Sequence, residues 1–404
     1  MRILLGLTLV HVAGALRAVS TTRLPSQKYG LSVLHRSIQL QDSIARDRRT
    51  LTMSSVSQEG AGGDGEGPFT RKSLLEATTK AAGVLGAGLF VGRGFFAGVP
   101  YNGKPDLRGK TAIITGGNTG LGKETAVRLA QLGAAITIAC RNPERASSAL
   151  QDIKAQAPEA KVEAMALDLA SLDSVASFAK RYTSNTDRLD ILVNNAGVMA
   201  IPERQTTKDG FEMQFGTNHL GHFRLTSLLL PSLLRSPDGR VVTVSSSAHL
   251  FAPTIDWDDL NAEAPGAYGP WSAYGLSKLS NILFTRGLQR RLDEKGASSV
   301  TCTVLHPGAC RTELGRYLFD PSSVNPLVSL LLVPLTLVTR SPKEGAQTQI
   351  ACAAEPSLGK GSGAGGSYYV GPKITEKTSE IASDLEAIDR MWAASERLVG
   401  KFVV

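Results

Sequence analysis

Acidic residues are nearly missing from the first 53 positions. Only Asp42 and Asp47 stand there against Arg2, Arg17, Arg23, Lys28, Arg36, Arg46, Arg48 and Arg49. Eight basic and two acidic side chains put +6 of the chain's net charge of +8 into this stretch and leave +2 for everything else. The basic excess therefore marks a leader, not a nucleic-acid footprint, and no nucleic-acid partner is expected. Cysteine is also sparse. Cys140, Cys302, Cys310 and Cys352 form no CxxC pair and stand beside no histidine cluster at metal spacing. They read as buried free thiols, and no metal site is assigned. No repeat of fixed period occurs, which excludes a solenoid or propeller. Long unbroken apolar runs are lacking too: Ile3 to Ala15 is too short to span a bilayer.

What is present divides the chain. Residues 1–20 resemble a secretory signal peptide, with Arg2, an apolar run and the small-residue pattern Ala13-Gly14-Ala15. Residues 21–56 are rich in Arg, Ser, Thr and Leu, which is transit-peptide composition. In tandem they resemble the bipartite presequences of algae with complex plastids, so a plastid is the expected compartment. The endoplasmic reticulum membrane, reached by an uncleaved signal anchor, is the alternative. Residues 57–106 read as a linker, flexible by composition at Ser57–Pro68, then a short helix near Arg71–Lys80 and an apolar stretch, 81–99. Arg93 and six glycines weaken that stretch as a membrane span and leave shallow membrane association or packing as readings.

From residue 107 the pattern alternates. Strands are expected at 111–115, 135–140, 162–167, 191–194, 241–245 and 300–305, and helices at 123–132, 144–156, 171–182, 217–234, 272–292 and 384–398. Strands alternating with helices of ten or more residues predict an α/β domain over 107–404, a doubly wound parallel sheet of the Rossmann type.

The run Thr115-Gly116-Gly117-Asn118-Thr119-Gly120-Leu121-Gly122 lies between the first strand and the first helix. Glycines there let the chain turn tightly and approach a pyrophosphate, and the helix N-terminus offers free N–H groups to it. An acidic residue at the end of the second strand would bind a ribose 2′-hydroxyl and repel a 2′-phosphate. This chain has Cys140-Arg141-Asn142 instead, with Arg145 one turn on. Guanidinium groups suit a phosphate dianion, so the expected cofactor is NADP(H); a solvated arginine pair is the plainer reading. Asp168-Leu169 ends the third strand, where Asp168 accepts from an adenine amino group or caps the next helix. Asn194-Asn195-Ala196-Gly197 ends the fourth strand with small residues that let a cofactor cross.

Tyr274 and Lys278 are four residues apart in an expected helix, so they share one face about 6 Å apart along the axis. A phenol with a pKa near ~10 is a poor acid at neutral pH, and an adjacent ammonium lowers it by favouring the phenolate. The pair fits a general acid and its tuner. Ser245-Ser246-Ser247 ends the fifth strand, and spacing alone does not choose among the three. Asn218 is a polar residue in an apolar helical run, placed to bind the backbone of a kinked helix and to hold a water feeding Lys278. His219 and His222 have no carboxylate or thiol at fixed spacing and read as core histidines.

These motifs resemble the short-chain dehydrogenase/reductase superfamily over roughly residues 107–400. The wording of 115–125, Ala139-Cys140-Arg141, Thr217–Phe223, Leu305–Gly308, Arg311–Leu314 and Glu344–Thr348 is similar to the retinol-dehydrogenase-like branch, which includes the WW-domain oxidoreductase and plant plastid-envelope relatives. The resemblance implies that Tyr274 is the acid/base, that Lys278 tunes it and holds the ribose, that Ser246 orients the carbonyl and that Asn218 completes a tetrad. It implies that Pro307, Gly308 and Thr312 bracket the nicotinamide carboxamide. The cofactor set is then Gly116, Asn118, Thr119, Gly120, Leu121, Gly122, Arg141, Arg145, Asp168, Leu169, Asn195, Ala196, Gly197, Tyr274, Lys278, Pro307, Gly308 and Thr312. The gap between Ser246 and Tyr274 is long and carries Trp257, Tyr268 and Trp271, whose roles are open. Leu327–Val338 falls where such enzymes carry a substrate loop and reads as an apolar lid or a buried helix.

The expected function is NADP(H)-dependent interconversion of a lipophilic carbonyl (a retinoid, a carotenoid-derived aldehyde or a lipid carbonyl) and its alcohol. Peripheral membrane contact and a homodimer are further expectations. One alternative is an NADP(H)-sensing subunit of an organelle membrane assembly. A second is an enzyme similar to protochlorophyllide reductase, which Gly275-Leu276-Ser277 fits poorly because that motif usually holds a charge between Tyr and Lys.

Overall fold

Side chains of successive residues in each strand point to opposite faces, and that alternation builds the domain. The structure, a computed structural model, describes residues 100–310 and 339–402, apart from 372 and 375–377 and with backbone only at 373–374. The expectations placed on residues 1–99 and on 327–338 lie outside the described residues. The chain runs β1 (Thr111–Thr115), α1 (Gly120–Gln131), β2 (Ala135–Cys140), α2 (Pro143–Gln156), β3 (Val162–Ala166), α3 (Leu172–Asn185) and β4 (Ile191–Asn194). A long helix, α4, begins at Met213–Phe215, passes through a π-turn at Gly216–Leu220 and continues as Gly221–Leu234. Then come β5 (Gly239–Val244), a 3₁₀ turn (Ser247–Phe251), α5 (Pro270–Glu294), β6 (Val300–His306), α6 (Pro342–Ala354), β7 (Tyr368–Val370), β8 (Lys373–Ile374) and α7 (Leu385–Val399).

The sheet order is β3-β2-β1-β4-β5-β6-β7-β8, parallel through β7 and antiparallel at β8. Helices cover both faces, which is why the central strands are apolar at nearly every position. Ile113, Leu192, Val241 and Val304 join one core with α3, α4, α5 and α7. Their neighbours Ile114, Val193, Val242 and Leu305 join the other core with α1, α2 and α6. The order reverses between β1 and β4, so their carboxyl ends open a crevice.

Local chemistry sets the helix starts. Asn142 accepts from the Arg145 N–H at 2.8 Å with Pro143 at the first helical position of α2, and Ser341 and Glu344 form a reciprocal capping box on α6. The C-terminal helix α7 rests on α5, because α4 and α5 already cover that face of the sheet. Trp392 stacks on Phe284 with centroids 6.2 Å apart, meets Phe223 edge-on at 5.1 Å, and carries the Arg291 guanidinium at 4.1 Å.

Candidate active site

A cleft of about 610 Å³ opens beyond the ends of β1, β2, β3 and β4. Gly116, Asn118, Thr119, Gly120, Leu121, Arg141, Arg145, Asp168, Leu169, Asn195, Ala196 and Gly197 line it, twelve of the residues singled out from sequence. Gly122 does not face the cleft. It is buried in the first turn of α1, where a Cβ would lie 2.4 Å from the Gly116 carbonyl oxygen. Gly116 has φ +65°, and a Cβ there would meet Ala196 at 3.1 Å. Both positions thus require glycine for close packing of loop, helix and strand end, which leaves backbone open to a phosphate at the helix N-terminus. The residues present fit a dinucleotide cofactor.

Arg141 lies exposed at the cleft's edge just before the α2 N-terminus, and no carboxylate from the end of β2 lines the cleft. Asp168 is not the cap of α3: Ser171 fills that role by accepting from the Ser174 N–H, while Asp168 accepts from the Ala170 N–H within its own turn and faces the cleft.

Thr115, quoted in the motif without a role, ties the strand ends together. Its hydroxyl oxygen accepts from the N–H groups of Asn195 at 2.9 Å and Ala196 at 3.0 Å and pairs with His222 Nε2 at 2.9 Å. Gln349 of α6, also unforeseen, donates to the Leu121 carbonyl at 3.0 Å and to Thr125 at 2.6 Å. Both contacts join residues far apart in the chain, and no spacing signals them.

Behind Gly197, next to the cleft, stand Asn218 and Lys278, with Tyr274 and Ser246 beside them. Gly197 joins the two regions: a Cβ on it would lie 3.0 Å from Asn218 Oδ1 and 3.7 Å from Lys278 Nζ. Asn218 sits in the π-turn, whose extra residue aims its side chain away from its own helix. It accepts from the Val198 N–H at 2.8 Å and donates to the Val198 carbonyl at 2.9 Å and to Ser277 Oγ at 2.9 Å. It therefore binds the loop after β4, not the kinked helix's own backbone as expected.

Among the three serines, the structure separates what spacing did not. Ser245 is buried, its hydroxyl donating to the Lys278 carbonyl at 2.7 Å. Ser246 stands beside the Tyr274 phenol, on which it exerts a lowering pull, and Ser247 is exposed. Lys278 Nζ donates to the Val244 carbonyl at 3.1 Å and lies 5.6 Å from the Tyr274 ring centroid. Burial pushes the Tyr274 phenol up to about 12, against the pull of Ser246, and pushes the Lys278 ammonium down to about 8. The phenol is thus raised rather than lowered as expected beside Lys278, because desolvation dominates where both groups are almost fully enclosed. Pro307 and Gly308 follow β6 at the same end of the sheet; Thr312 lies outside the described residues.

The aromatics of the insertion divide. Tyr268 donates to the Ile201 carbonyl at 2.7 Å and Trp257 lies under the Arg390 guanidinium at 4.5 Å, so both hold loops. Trp271 meets the Tyr274 ring edge-on at 6.2 Å.

His219 and His222 are core residues as expected, and among the described residues no group of His, Cys, Asp or Glu is arranged to hold a metal. His219 pairs with Ser395 Oγ at 2.8 Å, and His222 with Thr115 and the Asn218 carbonyl. Burial pushes them down to about 3 and about 4 from 6.5. Both are neutral in the folded protein, whereas the unfolded chain takes up protons below 6.5. Stability from these groups should hold above that pH and fall as the pH drops through 6.5 towards 4, by on the order of 2 kcal/mol per residue at pH 5. Urea midpoints at pH 7.5 and 5.0 test this, and the loss should shrink in His219→Gln. Equal midpoints for the native chain at the two pH values would refute it.

Residues 110–257 match the family model described as short chain dehydrogenase. Human retinol dehydrogenase 13 is 45% identical over 303 residues, covering 74% of this chain and 86% of that protein. Human retinol dehydrogenase 14 is 42% identical, covering 73% of this chain and 87% of that protein. Among solved structures, an uncharacterised protein from Mycobacterium paratuberculosis superposes with a TM-score of 0.59 at 36% identity, covering 76% of this chain and all of the other. The chain belongs to the short-chain dehydrogenase/reductase family, in its retinol-dehydrogenase-like part. It is an oxidoreductase of alcohol and carbonyl groups that uses a nicotinamide dinucleotide.

Proposed function

We propose that the protein interconverts a lipophilic aldehyde or ketone and its alcohol with NADP(H). The observation that carries this reading is a cleft lined by Arg141 and Arg145 whose wall at Gly197 borders Asn218 and Lys278, with Tyr274 beside Lys278. The arginines favour a 2′-phosphorylated ribose by charge and by their planar forks. Gly116, Gly120 and the α1 N-terminus would hold the pyrophosphate, and Asn195–Gly197 would pass the carrier towards Tyr274. When bound, the nicotinamide supplies the hydride for reduction or accepts it in the reverse direction.

The chain's own residues handle the proton and the oxygen. Ser246 Oγ donates to the substrate oxygen and holds it beside the Tyr274 hydroxyl. Tyr274 Oη gives its proton to that oxygen as it gains charge. The Lys278 ammonium, charged below about 8, steadies the phenolate left behind, and the low polarity of the pocket strengthens that attraction.

An apolar rim supports a lipophilic substrate. Leu250, Phe251 and Trp271 are exposed by 53%, 57% and 41%, and Phe251 meets Trp271 edge-on at 5.9 Å, one ring removed from Tyr274. The names of the relatives point to retinoids. The purified protein should oxidise NADPH with all-trans-retinal, and failure across retinal, long-chain aldehydes and aromatic ketones, with NADPH bound, would sink the proposal. Trp271→Ala should raise KM for retinal roughly tenfold with little change in kcat, because the rim contacts body and not reacting carbon. KM for propanal, which is too short to reach the rim, should not move. Equal shifts for both aldehydes would overturn that role for the tryptophan.

A further inference from the structure

The segment that leaves β5 carries Ser246, and its position is set from two sides. Up to Ser245 it is held by α5 and β6. The Val244 carbonyl accepts from Lys278 Nζ at 3.1 Å and Asn281 Nδ2 at 3.2 Å, and the Ser245 N–H donates to the Leu305 carbonyl at 2.7 Å. At Ser246 the strand pairing ends and the chain turns into the 3₁₀ turn. Two imidazoles take over at that point. The Ser247 N–H donates to His306 Nδ1 at 3.2 Å, and the Ser246 carbonyl lies 2.7 Å from His249 Nδ1. The peptide bond following Ser246 is therefore gripped at both its polar ends.

The hydrogen bonds define the state of each ring. A backbone N–H only donates, so His306 Nδ1 must accept and its proton sits on Nε2. His249 Nε2 takes the Ser379 N–H at 3.3 Å, so its proton is on Nδ1 and goes to the Ser246 carbonyl. Both rings must be uncharged to do this, and burial holds both below the usual histidine range. His249 is anchored further by an edge-on contact with Tyr368 at 5.5 Å. His306 is the last residue of β6 and is followed directly by Pro307, whose carbonyl accepts from Arg340 at 2.8 Å.

We propose that His306 and His249 are positioning residues for the reaction: they orient the peptide behind Ser246 and so aim its hydroxyl at the oxygen shared with Tyr274. His306 also ties the Ser246 turn to the Pro307–Gly308 turn, so that two walls of the site keep one spacing. This rests on Ser246 holding the substrate oxygen. A shift of about 1 Å in such a group lowers turnover by up to roughly a hundredfold without a matching change in binding.

The test uses the full chain with NADPH and all-trans-retinal. His306→Leu removes the acceptor for the Ser247 N–H, whereas His306→Asn places an amide oxygen near the former Nδ1. The expected result is a roughly tenfold to hundredfold fall in kcat for His306→Leu, an NADPH Kd within about twofold of native, and recovery of most of kcat in His306→Asn. His249→Leu should fall likewise. If the leucine forms do not fold, as judged by NADPH binding, His306→Gln against His306→Asn decides, since the longer amide overshoots the Ser247 N–H and should be the slower. Equal kcat across these forms, or equal losses in the asparagine form and its comparator, overturns the inference. Ser246→Ala is the separate control: if it keeps native kcat, the role given to Ser246 fails and not merely the histidine grip.

Discussion

Tyr274→Phe is expected to lower kcat by roughly 10²–10⁴-fold while NADPH binding stays near native. The ring is 4% exposed and packs against Trp271, so phenylalanine keeps the volume and the packing and loses only the hydroxyl. That hydroxyl keeps its proton available at neutral pH, since burial keeps it protonated up to about 12. Lys278 does not replace it: its Nζ is 5.6 Å from the ring centroid and engaged with the Val244 carbonyl. Because proton transfer belongs to the transition state, kcat and kcat/KM should fall together. Stopped-flow NADPH oxidation with retinal measures this, with fluorescence titration for the cofactor. A variant that kept more than a tenth of native kcat would refute the role of the phenol.

The second large effect concerns the cofactor. Arg141→Asp should weaken NADPH by roughly 10–100-fold and improve NADH binding. Charge-assisted hydrogen bonds to a phosphate contribute about 1.5–3 kcal/mol, and the new carboxylate adds repulsion. Arg141 is exposed, so salt screens part of this, and the effect should be larger at low ionic strength. The same carboxylate would accept from a ribose 2′-hydroxyl, which favours NADH. The ratio of the two dissociation constants is the readout, and an unchanged ratio means that Arg141 does not select the cofactor.

Much of this was legible before any fold was known. The alternation of apolar runs placed β1 to β6 to within a few residues, because central parallel strands are buried on both faces and must be apolar throughout. The glycines at 116 and 120, the arginine at 141 and the pair at 274 and 278 stood out because backbone curvature and charge leave strict residue requirements. Less legible were β7 and α6. The strand Tyr368–Val370 has three residues beside a glycine-rich stretch, too short for a periodic signal, and α6 is mostly small residues with little contrast between its faces. The π-turn at 216–220 was visible only as a polar residue in an apolar helix.

By itself the amino-acid order determined the family and the crevice at the strand ends and pointed to Tyr274 and Lys278 as the proposed acid/base pair, because each depends on residue type at short range. Tertiary structure set Ser246 beside Tyr274 as the family resemblance implied, and alone decided that Asn218 binds the loop after β4, that Trp271 borders the site while Trp257 and Tyr268 hold loops, and that two neutral histidines grip the Ser246 peptide. Most of those outcomes depend on contacts across tens to hundreds of residues, and on the removal of water that moves the Tyr274 and Lys278 protons in opposite directions. Neither effect has a signature in local sequence.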